Sequence, residues 1–218
     1  MSNAATAERA EHAPAAHFES LERQAYAARL GMWVFLASEV LLFGAAITLF
    51  TAYQMQFPEA FHAAIEHNTK VLGTINTGVL LVSSTLVAAA VQTLREGKPK
   101  ATMFLVAGTI ALAFVFLAIK IFEYSKHFEE GIFPGGAGRF FVEHDAHGLP
   151  VFWTLYYGMT GLHAIHVTIG AGVLSVLMFG IWRGSTTART AHHLEVGAIY
   201  WHLVDVIWIF LWPLFYLA

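Results

Sequence analysis

Nine ionisable or amide side chains lie within or at the edge of runs that would otherwise dissolve in hydrocarbon: Glu39, Asn76, Lys120, Glu123, His163, His166, Glu195, His202 and Asp205. Each ionisable group near a bilayer centre costs roughly 2.5–3.5 kcal/mol on insertion scales, so a chain that carries several must bury them together or use them. Spacing sorts them. His163 and His166 are three apart and share a helix face, as do His202 and Asp205, and Glu195 extends the latter stripe from seven residues upstream. Lys120 and Glu123 stand one turn apart and can pair within their own helix. Three chemistries suit such a set. Hydrogen bonds and ion pairs can glue a bundle that has no hydrophobic effect between its helices. Imidazoles and carboxylates on facing helices can hold a metal or haem, although the apolar spans contain no Glu-x-x-His pair for a di-iron site. The third chemistry is proton or lipid handling. It suits Glu39, which stands in WVFLASEVLLFGAA with no basic residue near it in sequence. A carboxylate without a partner is costly there, so the protonated acid is expected.

The elements that must position these groups follow from composition. The chain has 218 residues, 57% hydrophobic and 12% charged, with a mean hydropathy of +0.58. That is too apolar for a soluble domain of this length. A hydrocarbon core ~30 Å thick takes about 20 apolar residues as a helix. Five segments qualify: 30–55, 71–95, 101–125, 151–182 and 196–218. Continuous apolarity without period-2 alternation excludes a β-barrel. The expected fold is all-α: a polar tail over 1–28, then an integral membrane domain of five transmembrane helices over 29–218. Residues 17–29 also carry Phe18, Leu21, Ala25 and Ala28 at helical spacing, which suits either an interfacial helix or a short tail.

Positive charge sets the expected orientation. The tail and the second and fourth loops hold Arg9, Arg23, Arg29, Arg95, Lys98, Lys100, Arg183 and Arg189. The opposite side has Lys70, Lys126 and Arg139 beside Glu59, Glu66, Glu129, Glu130, Glu143 and Asp145. The N-terminus is therefore expected in the cytoplasm and the C-terminus outside. The first 24 residues have no apolar core and carry acids, unlike a cleaved signal.

Other function classes are thinly supported. The net charge of −3, with no Lys/Arg-rich run, argues against nucleic acid. There is no Cys, which removes thiolate metal sites, disulfides and a Cys nucleophile together. No phosphate loop or nucleophile elbow is present. Gly158, Gly161, Gly170 and Gly172, with Ala164 and Ala171, read as small surfaces for close helix contact. The six Trp, mostly near span ends or on helix faces, read as interface anchors.

The strings also resemble a known family. GLHAIHVTIGAGVL (161–174) and YWHLVDVIWIFLWPLFY (200–216) closely resemble the signature helices of cytochrome c oxidase subunit III. RLGMWVFLASEVLLFGA (29–45) resembles its helix with the buried Ser-Glu-Val, NTGVLLVSSTLVAAA (76–90) its Asn-Thr helix, and IKIFEY (119–124) its helix ending in Glu-Tyr. The resemblance implies a non-redox subunit of a bacterial proton-pumping haem–copper oxygen reductase, multi-pass in the plasma (inner) membrane. Haem and copper are then expected on subunits I and II, with no cofactor, metal or catalytic centre on this chain. Subunit III in the family packs beside subunit I, holds phospholipid in a cleft between its helices and supports sustained proton uptake in aerobic respiration. Expected partners are subunits I and II and phospholipids; the resemblance leaves open whether the oxidase joins a larger respiratory assembly. By motif, Glu39 matches the family's buried carboxylate, while Glu123, His163, His166, His202 and Asp205 match its recurring polar residues. His202 and Asp205 are expected to tie the fifth span to Glu123 or to the His163/His166 face. The mitochondrial type has two further helices before the Ser-Glu-Val helix, where this chain has a polar tail. Five-span forms are typical of shorter bacterial enzymes, including quinol oxidases, so the resemblance leaves the donor open between cytochrome c and quinol. An accessory protein of a nitric oxide reductase and a free-standing proton channel or transporter are the alternatives. No inverted repeat or broken helix supports the last.

Overall fold

The five apolar runs all become helices, and in four of them the inward face repeats every three and four residues. A computed structural model describes residues 20–136, 138–143, 147–187 and 191–217. The order is α1 (Leu21–Gln56), α2 (Pro58–His67), α3 (Lys70–Arg95), α4 (Pro99–Glu129), a single 3-10 turn (Pro134–Gly136), α5 (Arg139–Glu143), α6 (Leu149–Arg183) and α7 (His192–Tyr216). Among the described residues there is no strand. The long helices α1, α3, α4, α6 and α7 are each apolar enough to cross a membrane. The chain is thus an all-α, multi-pass membrane protein.

On α3 the buried residues are Gly73, Asn76, Leu80, Ser83, Val87, Ala90 and Leu94. On α4 they are Thr102, Val106, Thr109, Ala113, Phe116, Lys120, Glu123 and His127. Both stripes alternate steps of three and four, averaging about 3.5 residues, close to the period of left-handed, knobs-into-holes packing. The two helices form an antiparallel hairpin whose tight turn depends on Gly97 at φ +73°. Gly97 and Lys98 there donate to Leu94 O and Thr93 O, capping the last carbonyls of α3, and Pro99 opens α4. In the turn, hydrogen bonds from Lys98 and then Gln92 hold the Glu96 carboxyl below its usual range. The helices α6 and α7 complete a four-helix core.

The first helix differs from the sequence reading in where it begins. It starts at Leu21, capped by the Ser20 hydroxyl accepting from Arg23 N–H at 3.2 Å, not at residue 30. At 36 residues it is about 54 Å long, well over the hydrocarbon thickness. It also leans on the bundle by little more than Leu36, Phe43 and Phe50, one residue every second turn. Most of its other side chains, including Trp33, Val34 and Leu41, stay exposed. The connection after it is not a plain loop. Ala60, Phe61, Ala64 and Ile65 make α2 an amphipathic cap on one end of the bundle. There Phe50, Phe61, Phe152 and Phe215 meet edge to face at 5.1–5.9 Å.

Tryptophan corrects a second expectation. Trp153, Trp201 and Trp208 are fully buried core residues, while Trp33 and Trp182 are exposed. Core Trp requires small neighbours. A Cβ added at Gly170 would lie 2.9 Å from Trp201 Cε3, whereas one at Gly172 would meet nothing within 4 Å. Gly170→Ala is therefore expected to destabilise the α6–α7 contact by about 1–3 kcal/mol through overpacking. Gly172→Ala is expected to be silent. Retention of each variant in detergent against temperature checks the difference, and equal behaviour would contradict the packing described.

Candidate functional site

The inward stripe of α4 carries apolar and hydroxyl residues until Phe116 and then continues with Lys120, Glu123 and His127. The stripe forces these groups into the core. Lys120 and Glu123 are 2% and 1% exposed. The ammonium uses all three protons: Nζ donates to Glu123 Oε2 at 2.9 Å, Tyr156 OH at 3.0 Å and Tyr216 OH at 3.2 Å. Tyr216 OH in turn donates to Glu123 Oε1 at 2.7 Å. The rings of Tyr156, Tyr124 and Trp208 surround the cation at 4.8–5.4 Å. A buried ion pair persists only when its remaining donors and acceptors are also met, and here they are. The knot joins α4, α6 and α7. The one-turn spacing predicted the Lys120–Glu123 pair, whereas nothing in the pattern pointed to the two tyrosines.

Glu39 is not alone, which corrects the sequence expectation. Its Oε2 lies 3.0 Å from His166 Nε2, joining α1 to α6. The ring N–H is not aligned on that oxygen, so the contact is an ion-pair distance rather than a well-directed hydrogen bond. His166 Nδ1 lies 2.8 Å from Leu162 O. A carbonyl only accepts, so Nδ1 carries a proton. Nε2 then either accepts from a neutral Glu39 or, protonated too, faces its carboxylate; one proton decides which. Phe43 packs on the imidazole edge at 5.6 Å, and Tyr200 OH donates to His166 O at 3.0 Å.

His163 shares the stripe but has other neighbours. Its ring sits 5.5 Å from Phe116 and 5.1 Å from Trp208, and neither nitrogen has a hydrogen-bond partner. Asn76 is equally buried and unpartnered. The α7 pair also departs from expectation. His202 Nδ1 meets Ser84 Oγ at 2.7 Å on α3, not Glu123 or the His163/His166 face. The Asp205 carboxyl is buried near the Ser84 hydroxyl without an aligned hydrogen bond. Glu195 lies at the far end of the same helix and pairs with Arg95 at 2.8 Å. Sequence reasoning missed the hydroxyls that serve α7: Trp201 donates to Ser83 at 3.0 Å and Trp208 to Thr77 at 3.1 Å. Only the run of small hydroxyl residues on α3 could have signalled them. Among the described residues no three His, Asp or Glu groups converge as a metal site.

The buried Glu123, His163, His166 and Asp205 and the half-buried Glu39 and His202 sit on four different helices, so the bundle can be compared with known proteins as a whole. The model of the family described as "Cytochrome c oxidase subunit III" matches residues 17–218. The chain belongs to that family. Its members are subunits of haem–copper oxidase complexes, so this chain is built to sit beside other oxidase subunits. A "Probable quinol oxidase subunit 3" of Staphylococcus haemolyticus (strain JCSC1435) is 27% identical over 189 residues, 87% of this chain and 88% of the relative. One of Staphylococcus aureus (strain USA300) is 28% identical over the same shares. In this subunit III chain, then, the polar groups join helices: Glu39–His166 holds α1, the Lys120 knot holds α4, α6 and α7, and Ser84–His202 holds α3 to α7.

Proposed function

We propose that this chain is the non-redox subunit III of a proton-pumping oxygen reductase in the bacterial plasma membrane, with its N-terminal end cytoplasmic. It supports assembly with subunits I and II, binds phospholipid and sustains proton uptake by subunit I. The family match over nearly the whole chain carries this reading. Two features support the structural role. The imidazoles of His166 and His202 are engaged within the subunit, and α1 offers a long exposed apolar face, with Trp33, Leu41 and Leu49, to a partner or lipid. An apolar hollow of about 320 Å³ between α1 and α7, lined by Ile47, Phe210, Pro213, Leu214 and Leu217, has the chemistry of an acyl-chain site.

The donor we assign first is cytochrome c, after the family description. Quinol is the second reading, favoured by the names of both relatives above. Oxygen consumption by the purified complex with reduced cytochrome c, and separately with a quinol, decides between them. Removing this chain is expected to leave the haem spectrum intact while activity decays over fewer turnovers. An oxidase with unchanged turnover lifetime after its removal would overturn the supporting role. The separated polypeptide is expected to carry no stoichiometric haem, iron or copper, because its core imidazoles already face carbonyl, carboxyl, hydroxyl or aromatic groups. Metal analysis checks this; metal surviving separation in one-to-one amount would contradict it.

A further inference from the structure

The Lys120 knot is sealed on one side and open on the other. Toward the middle of the bundle, Phe116 and Trp208 pack edge to face at 4.9 Å and close the layer around His163. Toward the end that carries α2, a cavity of about 70 Å³ is lined by His67, Thr69, Leu72, Glu123, Lys126, His127 and Glu130. A water needs only ~10–15 Å³ of such volume and two to four polar partners, both of which this cavity supplies. Glu130 and His67 stand at its mouth, partly exposed and paired at 2.7 Å. Glu123 and His127 form its buried floor. The His67 and His127 ring centroids are 6.2 Å apart, close enough for one water to bridge their nitrogens. His127 Nδ1 is buried without a protein partner. The ring is fixed by Trp153 at 4.8 Å and Tyr156 at 5.6 Å.

We propose that this cavity is a water-filled port through which the buried Lys120–Glu123 pair exchanges protons with the aqueous phase at one end of the bundle only, with His127 as the carrier between them. Each step moves one proton between water and a ring nitrogen or carboxylate oxygen, and no other bond changes. A proton reaching Glu123 releases it from Lys120, whose ammonium keeps its two tyrosine acceptors. The groups that face His127 are Lys120, Glu123 and Glu130 from α4 and its end, His67 from α2, and Tyr156 and Tyr157 from α6. The port does not depend on the donor or on the role in turnover proposed above.

Cysteine accessibility tests it, because the chain has no Cys of its own. His127→Cys, Leu72→Cys on the opposite wall, Ala113→Cys one turn past the Phe116–Trp208 seal and surface Lys126→Cys are made in the full complex in sealed vesicles. A small charged methanethiosulfonate is added to either face, and labelling of this chain is read by mass. Positions 127 and 72 are expected to react from the Lys126 side only, within about 10²-fold of Lys126→Cys, while Ala113→Cys stays unmodified. The rate at 127 is expected to rise about tenfold per pH unit on that side, below the thiol pKa, and to ignore pH on the other. Protection of both 127 and 72, labelling of 127 from both faces, or a rate at 127 that does not follow the pH of the Lys126 side would each overturn the proposal. If His127→Cys does not assemble, Leu72→Cys decides: labelling only from the Lys126 side sustains the port, and protection overturns it.

Discussion

Lys120→Met is expected to strip much of this chain from the complex on mild heating. The substitution leaves Glu123 in the core with Tyr216 OH as its remaining hydrogen-bond donor, and orphaning one partner of a buried ion pair costs about 3–5 kcal/mol. Lys120→Met with Glu123→Met is expected to recover most of the loss, since well-packed apolar replacements of such pairs are neutral or stabilising. Retention of the chain against temperature, followed by immunoblot for the wild type, the single and the double variants, reads this directly. Normal retention of the single variant would show that the knot does not hold α4 to α6 and α7.

Glu39→Ala is expected to loosen α1 by about 1–3 kcal/mol, because it leaves a polar imidazole nitrogen of His166 without its partner in a largely apolar setting. Glu39→Gln is expected to be nearly silent. Its amide keeps the size and supplies an N–H donor to Nε2, which can accept because Nδ1 is committed to Leu162 O. Pumped protons per electron in reconstituted vesicles separate a structural pair from a proton-exchanging one. A clear loss for Glu39→Gln in a fully assembled complex would make Glu39 part of a proton path.

The spans and the Lys120–Glu123 pair were legible because both are local properties of one helix: continuous apolarity and a three-residue spacing. The inward stripes of α3 and α4 were also present in the sequence as alternating threes and fours, though polar residues such as Asn76 and Thr109 interrupt their apolarity. The α2 cap was not legible, since ten residues opening with Pro58 are too short for a span and read as a connection. Partners across helices were the least legible. Whether Glu39 meets His166 depends on the depth and rotation of α1 against α6, which no spacing within either helix encodes. The same holds for His202, whose partner Ser84 is too common a residue to stand out. The family resemblance marked Glu39 and His166 as recurring without saying that they touch.

Purification in mild detergent through a tag on this chain tests directly whether it is an oxidase subunit. Haem is expected to co-purify with the tagged chain, seen as an oxidised-minus-reduced difference spectrum. A folded, colourless protein of this chain alone would contradict it.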